Sequence, residues 1–249
     1  MISPALEPHS TYNFFQVLAG VLLGAGLLIT LRRDLDTKRL LLLLVSTSIV
    51  VRPGAEFFSL FFADTQGRNY TGALFAQVVG IGLFLMIMRI PLDVRQRVWK
   101  WFAILSGGAY ALLRTGCFFR GCCWGTLCPF PWAVYYNRED VVTPWLALPL
   151  HPVQLYSAAH GILISLGVWI YLRARPDGSP MGIFFLLLGT GRLVTDRYRA
   201  DAHFYEQSLL GFEPNTVLAA ATALLGAGLL IRSHWLRSRA KVDAPPAPR

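Results

Sequence analysis

Two arginines placed in long apolar stretches are the residues of this sequence best suited to binding an anion. Arg114 ends one apolar run, and Arg192 lies in another, four residues before Asp196. A charge in such a run costs about 3 kcal/mol or more inside a bilayer, so it calls for a partner or a function. Because guanidinium groups bind phosphate bidentately and keep their charge, Arg114 and Arg192 predict a clamp on an anionic lipid headgroup. Arg199 extends its positive rim.

Arg52 and Glu56 form a second pair at the same i,i+4 spacing, which places both side chains on one helical face. The two charges either neutralise each other and tie helices together, or they face other helices or a ligand. Arginine before the acid supports a helix less well than the reverse order. This order favours external partners, and we expect Arg52 and Glu56 to contribute to substrate binding.

All four cysteines, Cys117, Cys122, Cys123 and Cys128, fall within twelve residues. Outside the cytoplasm they could form disulfides, and a thiolate beside an arginine could act as a nucleophile or redox centre. An adjacent pair between two four-residue gaps is not the usual zinc-binding spacing. Structural disulfides or plain thiols therefore rank first, catalysis by Cys122 or Cys123 second and metal binding last. Neither a metal nor another cofactor is predicted.

Glycines and a histidine lie close to these groups in the sequence. Gly121 and Gly125 allow tight turns and close approach to a ligand. His151 is a candidate proton acceptor because histidine titrates near neutral pH; alternatively, it caps the start of the next helix. Gln154 and Tyr156 begin the apolar run that follows, and we expect them to contact the substrate.

The elements that must position these residues are membrane-spanning helices. Hydrophobic residues make up 54% of the 249 residues and charged residues 15%, against about 25% charged in ordinary globular proteins. A spanning helix needs about 20 mostly apolar residues. Seven runs are candidates: 12–31, 40–62, 71–90, 101–119, 153–172, 181–195 and 214–231. The sequence predicts an all-α integral membrane protein with seven transmembrane helices in one domain over 1–240, an external loop over 120–150 and a disordered tail over 241–249.

The basic residues predict the direction of the chain. Fifteen of the 23 lie at the end of, or after, the first, third, fifth and seventh runs, and positive residues flank spans on the cytoplasmic side. The N-terminus is therefore expected outside, the C-terminus in the cytoplasm and the candidate site on the outer face. The N-terminal segment lacks a basic start and is not expected to be a cleaved signal peptide. The net charge of +9 lies in short clusters rather than in one stripe, which argues against a nucleic-acid partner.

Several motifs between residues 111 and 199 have counterparts in one enzyme family. They are Arg-Thr-Gly-Cys-Phe at 114–118, Gly-Cys-Cys-Trp-Gly at 121–125, Pro-Trp at 131–132, His-Pro-Val-Gln-Leu-Tyr at 151–156, and Gly-Arg at 191–192 with Asp196 and Arg199. On these motifs the chain resembles the prolipoprotein diacylglyceryl transferase family. Its members are seven-span bacterial inner-membrane enzymes that move diacylglycerol from phosphatidylglycerol onto the cysteine thiol of a prolipoprotein.

The resemblance implies roles for four residues. Arg114 would be the signature arginine, Arg192 the second essential arginine, Gly125 a signature glycine, and Asp196 a shortened form of the family's glutamate. The departures mark a divergent, cysteine-rich member. Cys117 stands where the family has asparagine, and Cys122 where it has its signature glutamate. A third-span His-Gly-Gly-Leu motif is replaced by Thr-Gly-Ala-Leu at 71–74.

Three functions are compatible with these features. The leading one is a phosphatidylglycerol-dependent transferase with a protein or small-molecule thiol as acceptor, in which His151, Asp196 or a cysteine serves as base. The second keeps the lipid site but uses Cys122 or Cys123 in covalent or redox chemistry with another acceptor. The third is a non-catalytic lipid-binding or transport protein. The expected location is the bacterial inner membrane, with the site towards the periplasm or cell exterior.

Overall fold

A computed structural model describes residue 4 and residues 6–61, 70–200 and 214–242. Its α-helices are α1 (Pro8–Leu31), α2 (Thr37–Phe61), α3 (Tyr70–Ile87), α4 (Leu92–Arg120), α5 (Val153–Ala174), α6 (Pro180–Thr195) and α7 (Pro214–Val242). A 3-10 turn over Asp196–Tyr198 follows α6. The predicted all-helical class is confirmed for these residues. The end of the second predicted span, at residue 62, and residues 243–249 of the predicted disordered tail lie outside them.

Each predicted apolar run lies on one helix, but the bounds differ: α4 and α7 extend well beyond their runs, and α3 ends at Ile87, before the predicted end at residue 90. Helix α4 begins at Leu92, so residues 92–100 are helical rather than a loop. Asp93 in its first turn suits the positive end of the helix dipole. Helix α7 continues to Val242 and so includes two residues of the predicted tail. Hydropathy marks where the apolar stretch begins or ends, whereas charged residues with good helix propensity continue the helix beyond it.

Five of the described helices, α1, α2, α4, α5 and α7, contain segments long and apolar enough to cross a membrane. The apolar part of α3 is shorter, over Thr71–Ile87, and α6 has 16 residues. Large apolar side chains are exposed on the outer helical faces, including Val17, Ile49 and Leu224 at 65%, 66% and 72% exposure. Apolar surface of this extent requires a non-aqueous environment. The chain is a multi-pass helical membrane protein.

A large apolar core joins helices α1 to α6. Leu43, Phe102 and Phe184 are among its fully buried members. Helices α4 and α5 approach closely where they meet, because a Cβ atom at Gly161 would lie 2.7 Å from the carbonyl oxygen of Gly107. Small residues at such contacts let membrane helices pack backbone to backbone. This packing holds α4, which carries Arg114, firmly against its neighbours.

A second, smaller core lies where α4 and α6 end and α5 begins. Its buried members are Phe118, Trp124, Val134, Tyr136, Leu150 and Ala200. The backbones of Val134 and Leu150 exchange two hydrogen bonds of 2.9 and 3.0 Å. We call residues 121–152 the loop cap. The segment predicted as an external loop is thus folded onto the end of the helical bundle, where most of the candidate residues lie.

Candidate functional site

Backbone hydrogen bonds join the loop cap to the segment after α6. The amide of Thr126 donates to the carbonyl of Tyr198 at 2.8 Å, and the amide of Ala200 donates to the carbonyl of Trp124 at 3.0 Å. These bonds tie the segment that follows Arg114 to the segment that follows Arg192. Two motifs far apart in the sequence therefore meet at one end of the bundle.

The centre of the site is a buried ion-pair cluster around Asp196. Arg192 Nη2 lies 3.2 Å from Asp196 Oδ2, and Arg199 Nη1 lies 3.5 Å from Asp196 Oδ1. The three side chains are only 7%, 12% and 6% exposed for Arg192, Arg199 and Asp196 respectively. Burial acts to raise the pKa of Asp196, but the charges of the surrounding arginines lower it below its ordinary value. The carboxylate is therefore ionised at neutral pH and bridges two guanidinium groups.

Arg114 adds a third guanidinium group to this end of the bundle. It is buried, its Nη1 donates to Cys123 Sγ at 3.3 Å, and its Cζ lies 5.0 Å from the ring centroid of Tyr110. Its charge also contributes to lowering the pKa of Asp196. The predicted clamp and its rim thus lie at one end of the bundle in the described part of the chain: Arg192 and Arg199 contact Asp196, and Arg114 is near enough for its charge to act on that carboxylate.

Thr71 is a member of the cluster that the sequence analysis did not select. Arg192 Nη1 donates to its Oγ1 at 2.7 Å, and the residue is 3% exposed. Thr71 is also the first residue of the segment matched to the family's third-span histidine motif. The match to the family motif could have identified this position, and the structure places the Thr71 hydroxyl beside Arg192. Tyr110 was also not predicted, although it lies four residues before Arg114, a spacing that places both side chains on one helical face.

Three of the four cysteines converge beside Arg114. The Sγ atoms of Cys117, Cys122 and Cys123 all lie within 4.8 Å of one another. All four cysteines are free thiols, and Cys128 is buried outside this group. The cysteines therefore stand as plain thiols rather than as a disulfide-bonded staple.

The thiols differ in acidity because of their mutual contacts. Hydrogen bonds from Cys117 and Cys122 lower the pKa of Cys123 well below its ordinary value; burial opposes this shift, and nearby arginines support it. Hydrogen bonds with Cys117 and Cys123, together with burial, raise the pKa of Cys122. These contacts favour the thiolate form at Cys123 over the thiolate form at Cys122.

His151 lies in an aromatic pocket at the base of the loop cap. Its Nδ1 is 3.1 Å from the hydroxyl of Tyr156, which accepts a 2.8 Å hydrogen bond from Trp132 Nε1. The ring centroid of Tyr198 lies 5.0 Å from that of His151. Burial lowers the pKa of His151, so the ring is neutral at pH 7. When Nδ1 donates to Tyr156, Nε2 carries the lone pair that a proton acceptor needs.

The two predicted glycines shape the turns around this pocket. Gly121 ends α4 in the left-handed region, at φ 72°, a conformation that glycine adopts without steric cost. A Cβ atom at Gly125 would meet the backbone of His151 and lie 2.7 Å from its Cβ. Gly125 therefore allows the close approach of His151 to the segment that follows α4.

Gln154 is buried beneath the loop cap, at 1% exposure. Its Nε2 donates to the carbonyl of Cys122 at 2.7 Å and to the hydroxyl of Tyr136 at 3.3 Å. The Tyr136 hydroxyl in turn donates to the carbonyl of Phe118 at 2.9 Å. These contacts position the cysteine-bearing turn. The expected contacts of Gln154 and Tyr156 with substrate stay predictions.

Arg52 and Glu56 differ from the buried charges. Arg52 Nε lies 2.8 Å from Glu56 Oε1, and the side chains are 75% and 51% exposed. The two residues pair within α2, as the simpler of the two sequence interpretations expected. Their role in substrate binding stays a prediction.

The fold and the site define a class: a multi-pass helical membrane protein with buried guanidinium groups, thiols and a neutral imidazole at one end of its bundle. The sequence model of the prolipoprotein diacylglyceryl transferase family matches residues 10–232. The chain belongs to this family. The resemblance found in residues 111–199 is confirmed, and the match extends over most of the chain.

Individual relatives carry the same description. The phosphatidylglycerol–prolipoprotein diacylglyceryl transferase of Idiomarina loihiensis is 32% identical over 177 residues, which cover 70% of this chain and 63% of the relative. That of Mannheimia succiniciproducens is 32% identical over 51% of this chain and 47% of its own length. That of Tropheryma whipplei is 24% identical over 73% and 66%. The chain spans about half to two thirds of the length of these relatives.

Proposed function

We propose that this protein transfers the diacylglyceryl group of phosphatidylglycerol to the cysteine thiol of a prolipoprotein. The observation that carries the proposal is the buried cluster in which Arg192 and Arg199 contact Asp196, with buried Arg114 near enough for its charge to act on the same carboxylate. Guanidinium groups held in a site of low dielectric stabilise a phosphate that gains charge as it leaves. The family and the names of the relatives support this substrate class.

In the proposed reaction, the acceptor sulfur forms a bond to the terminal glyceryl carbon of the lipid. The bond between that carbon and the phosphate oxygen breaks, and glycerol phosphate leaves with the electron pair. Thiolate is the nucleophile, so a base must take the acceptor's proton. Of the predicted bases, Asp196 is held by two guanidinium groups, whereas His151 is neutral. We assign the base to His151.

The same proposal covers topology and location. Residues 1–240 form one membrane domain that crosses the bacterial inner membrane seven times, with α3 and α6 as its two shortest spans. The N-terminus lies outside and the C-terminus in the cytoplasm. The site faces the periplasm or cell exterior, since the basic residues flank the opposite ends of the helices.

The test is a proteoliposome assay with labelled phosphatidylglycerol and a lipobox peptide, followed by mass spectrometry. We expect a diacylglyceryl thioether on the peptide. Arg114→Ala and Arg192→Ala should each lower the rate by about 10²-fold or more, the cost of removing one charge-stabilising donor. Arg138→Ala is the matched control, because Arg138 pairs with Asp140 at 2.6 Å on the exposed surface of the loop cap.

Three results would count against the proposal. Full activity in either buried-arginine variant would exclude the clamp. Lipid consumption without a peptide product would indicate another acceptor and direct attention to Cys122 and Cys123. Lipid that is bound and recovered unchanged would favour a non-catalytic lipid-binding protein.

A further inference from the structure

The three converging thiols have a geometry that lipid transfer does not use. The Sγ atoms of Cys117, Cys122 and Cys123 lie within 4.8 Å of one another. A zinc–thiolate bond is about 2.3 Å long, so two sulfurs on one tetrahedral ion lie about 4 Å apart. Movements of about 1 Å, within the reach of small side-chain rotations, would bring all three sulfurs onto one ion.

The backbone of the turn after α4 is shaped to produce this convergence. Gly121 and Cys123 both have left-handed backbones, at φ 72° and 55°. A residue with a Cβ atom pays roughly 1–2 kcal/mol for that conformation, and such outliers concentrate at ligand sites. Gln154 Nε2 donates a hydrogen bond to the backbone carbonyl oxygen of the intervening Cys122. The turn thereby brings two cysteines back against Cys117 on the last turns of the helix.

The surrounding charge suits an anionic metal–thiolate complex. Three thiolates on a divalent ion leave a net charge of −1, and on a monovalent ion −2. Arg114 Nη1 already lies 3.3 Å from Cys123 Sγ, and the charge of Arg199 also reaches that sulfur. Groups that hydrogen-bond to the ligands of a metal fix their orientation and tune the site.

We propose that Cys117, Cys122 and Cys123 form a three-thiolate site for a thiophilic d10 metal ion, Zn²⁺ or Cu⁺. Thiolate ligands select these ions over harder cations such as Mg²⁺ and Ca²⁺. With zinc, three protein ligands leave a fourth coordination position open. Binding releases protons, because each thiol must ionise to become a metal ligand. The sequence spacing ranked a metal last because it lacks a C-x2-C pair, but the turn at Gly121 makes the three sulfurs neighbours.

The experiment uses the whole chain in detergent, reduced and handled without oxygen, and titrated with Zn²⁺ or with Cu⁺. We expect one tightly bound equivalent, with X-ray absorption showing three sulfur neighbours at about 2.3 Å. Cys117→Ser, Cys122→Ser and Cys123→Ser should each weaken binding by at least about tenfold. Cys128→Ser is the matched control and should bind as the unmodified chain does, since Cys128 is a buried thiol of the same loop cap outside the group.

Several results would overturn the site. They are substoichiometric binding, a metal surrounded by nitrogen and oxygen, loss of binding in Cys128→Ser equal to that in the other variants, or a disulfide between two of the three cysteines in protein taken from cells. The absorption measurement uses the unmodified chain, so misfolding of a variant does not affect it. Metal binding is measured without lipid, and its failure is therefore distinct from a failure of the proposed transfer reaction.

Discussion

Two arginine–acid pairs of this chain have the same spacing and the same order but opposite surroundings. Arg192 and Asp196 are 7% and 6% exposed at the end of α6, whereas Arg52 and Glu56 are 75% and 51% exposed on α2. Both pairs were visible in the sequence as costly charges in apolar runs. Spacing predicts that two side chains can meet on a helix, but it does not predict what covers them.

The residues that bury the Arg192–Asp196 pair come from parts of the chain that are distant in sequence. Thr71 of α3 accepts a hydrogen bond from Arg192, and Arg199, held by the strand-like pairing with the loop cap, reaches the other oxygen of Asp196. The buried pair is thus one edge of a three-dimensional network. Removal of one partner should therefore matter far more at Asp196 than at Glu56.

Arg192→Ala should have the largest effect on stability. It leaves the buried carboxylate with Arg199 as its remaining direct ion-pair partner in the described part of the chain and removes the hydrogen bond from Arg192 to Thr71. Breaking a buried pair costs about 3–5 kcal/mol, and Arg199 should hold the loss near the lower end. The measurement is thermal unfolding in detergent, with Arg52→Ala as the matched variant, for which we expect a smaller loss because the side chain of its partner Glu56 is 51% exposed. Equal losses in the two variants would show that the burial difference does not control stability.

The parts of the molecule that the sequence predicts well are those governed by local pattern. Seven apolar runs became seven helices, because each run already satisfies its backbone hydrogen bonds internally in an apolar environment. The residues of the proposed clamp were selected in the same way, since the cost of burying a guanidinium group makes Arg114 and Arg192 conspicuous. Charged residues 92–100 were missed as helix because hydropathy does not register them.

The rest depends on contacts between distant segments. Thr71 joins the site only because α3 packs beside α6, and the thiols converge only because Gly121 and Cys123 adopt left-handed conformations. The position of His151 depends on the absence of a side chain at Gly125. None of these contacts has a periodic signal in the sequence, and for this reason spacing alone ranked a thiol metal site last.

Gly125→Ala should have a smaller effect and extends the comparison to uncharged residues. A Cβ atom at this position would press on the backbone and Cβ of His151, and such overpacking costs about 1–3 kcal/mol. Gly20→Ala is the matched change, because Gly20 lies on the exposed face of α1 with nothing within 4 Å of a new Cβ. There we expect a gain of roughly 0.5–1 kcal/mol from helix propensity. Unfolding of both variants in the same detergent checks the difference in sign; a loss at Gly20 or a gain at Gly125 would contradict it.

The smallest effect concerns the pH dependence contributed by His151. Burial lowers its pKa in the folded chain below the ordinary value of about 6.5. Below pH 6.5 the unfolded chain therefore binds more protons at this position than the folded chain does, so stability decreases as pH falls. Above that pH both states are neutral and the contribution no longer changes.

His151→Gln should remove this slope while keeping a polar side chain beside Tyr156. The measurement is unfolding between about pH 5 and 7.5, a window that avoids the carboxylates, whose ordinary pKa values lie near 4. Asp196 contributes only below that window, because its pKa is lowered further. The unmodified chain should lose stability towards pH 5 and the variant should lose less. A steeper slope in the variant would mean that His151 is better protonated in the folded state, which would remove the basis for assigning it as the proton acceptor.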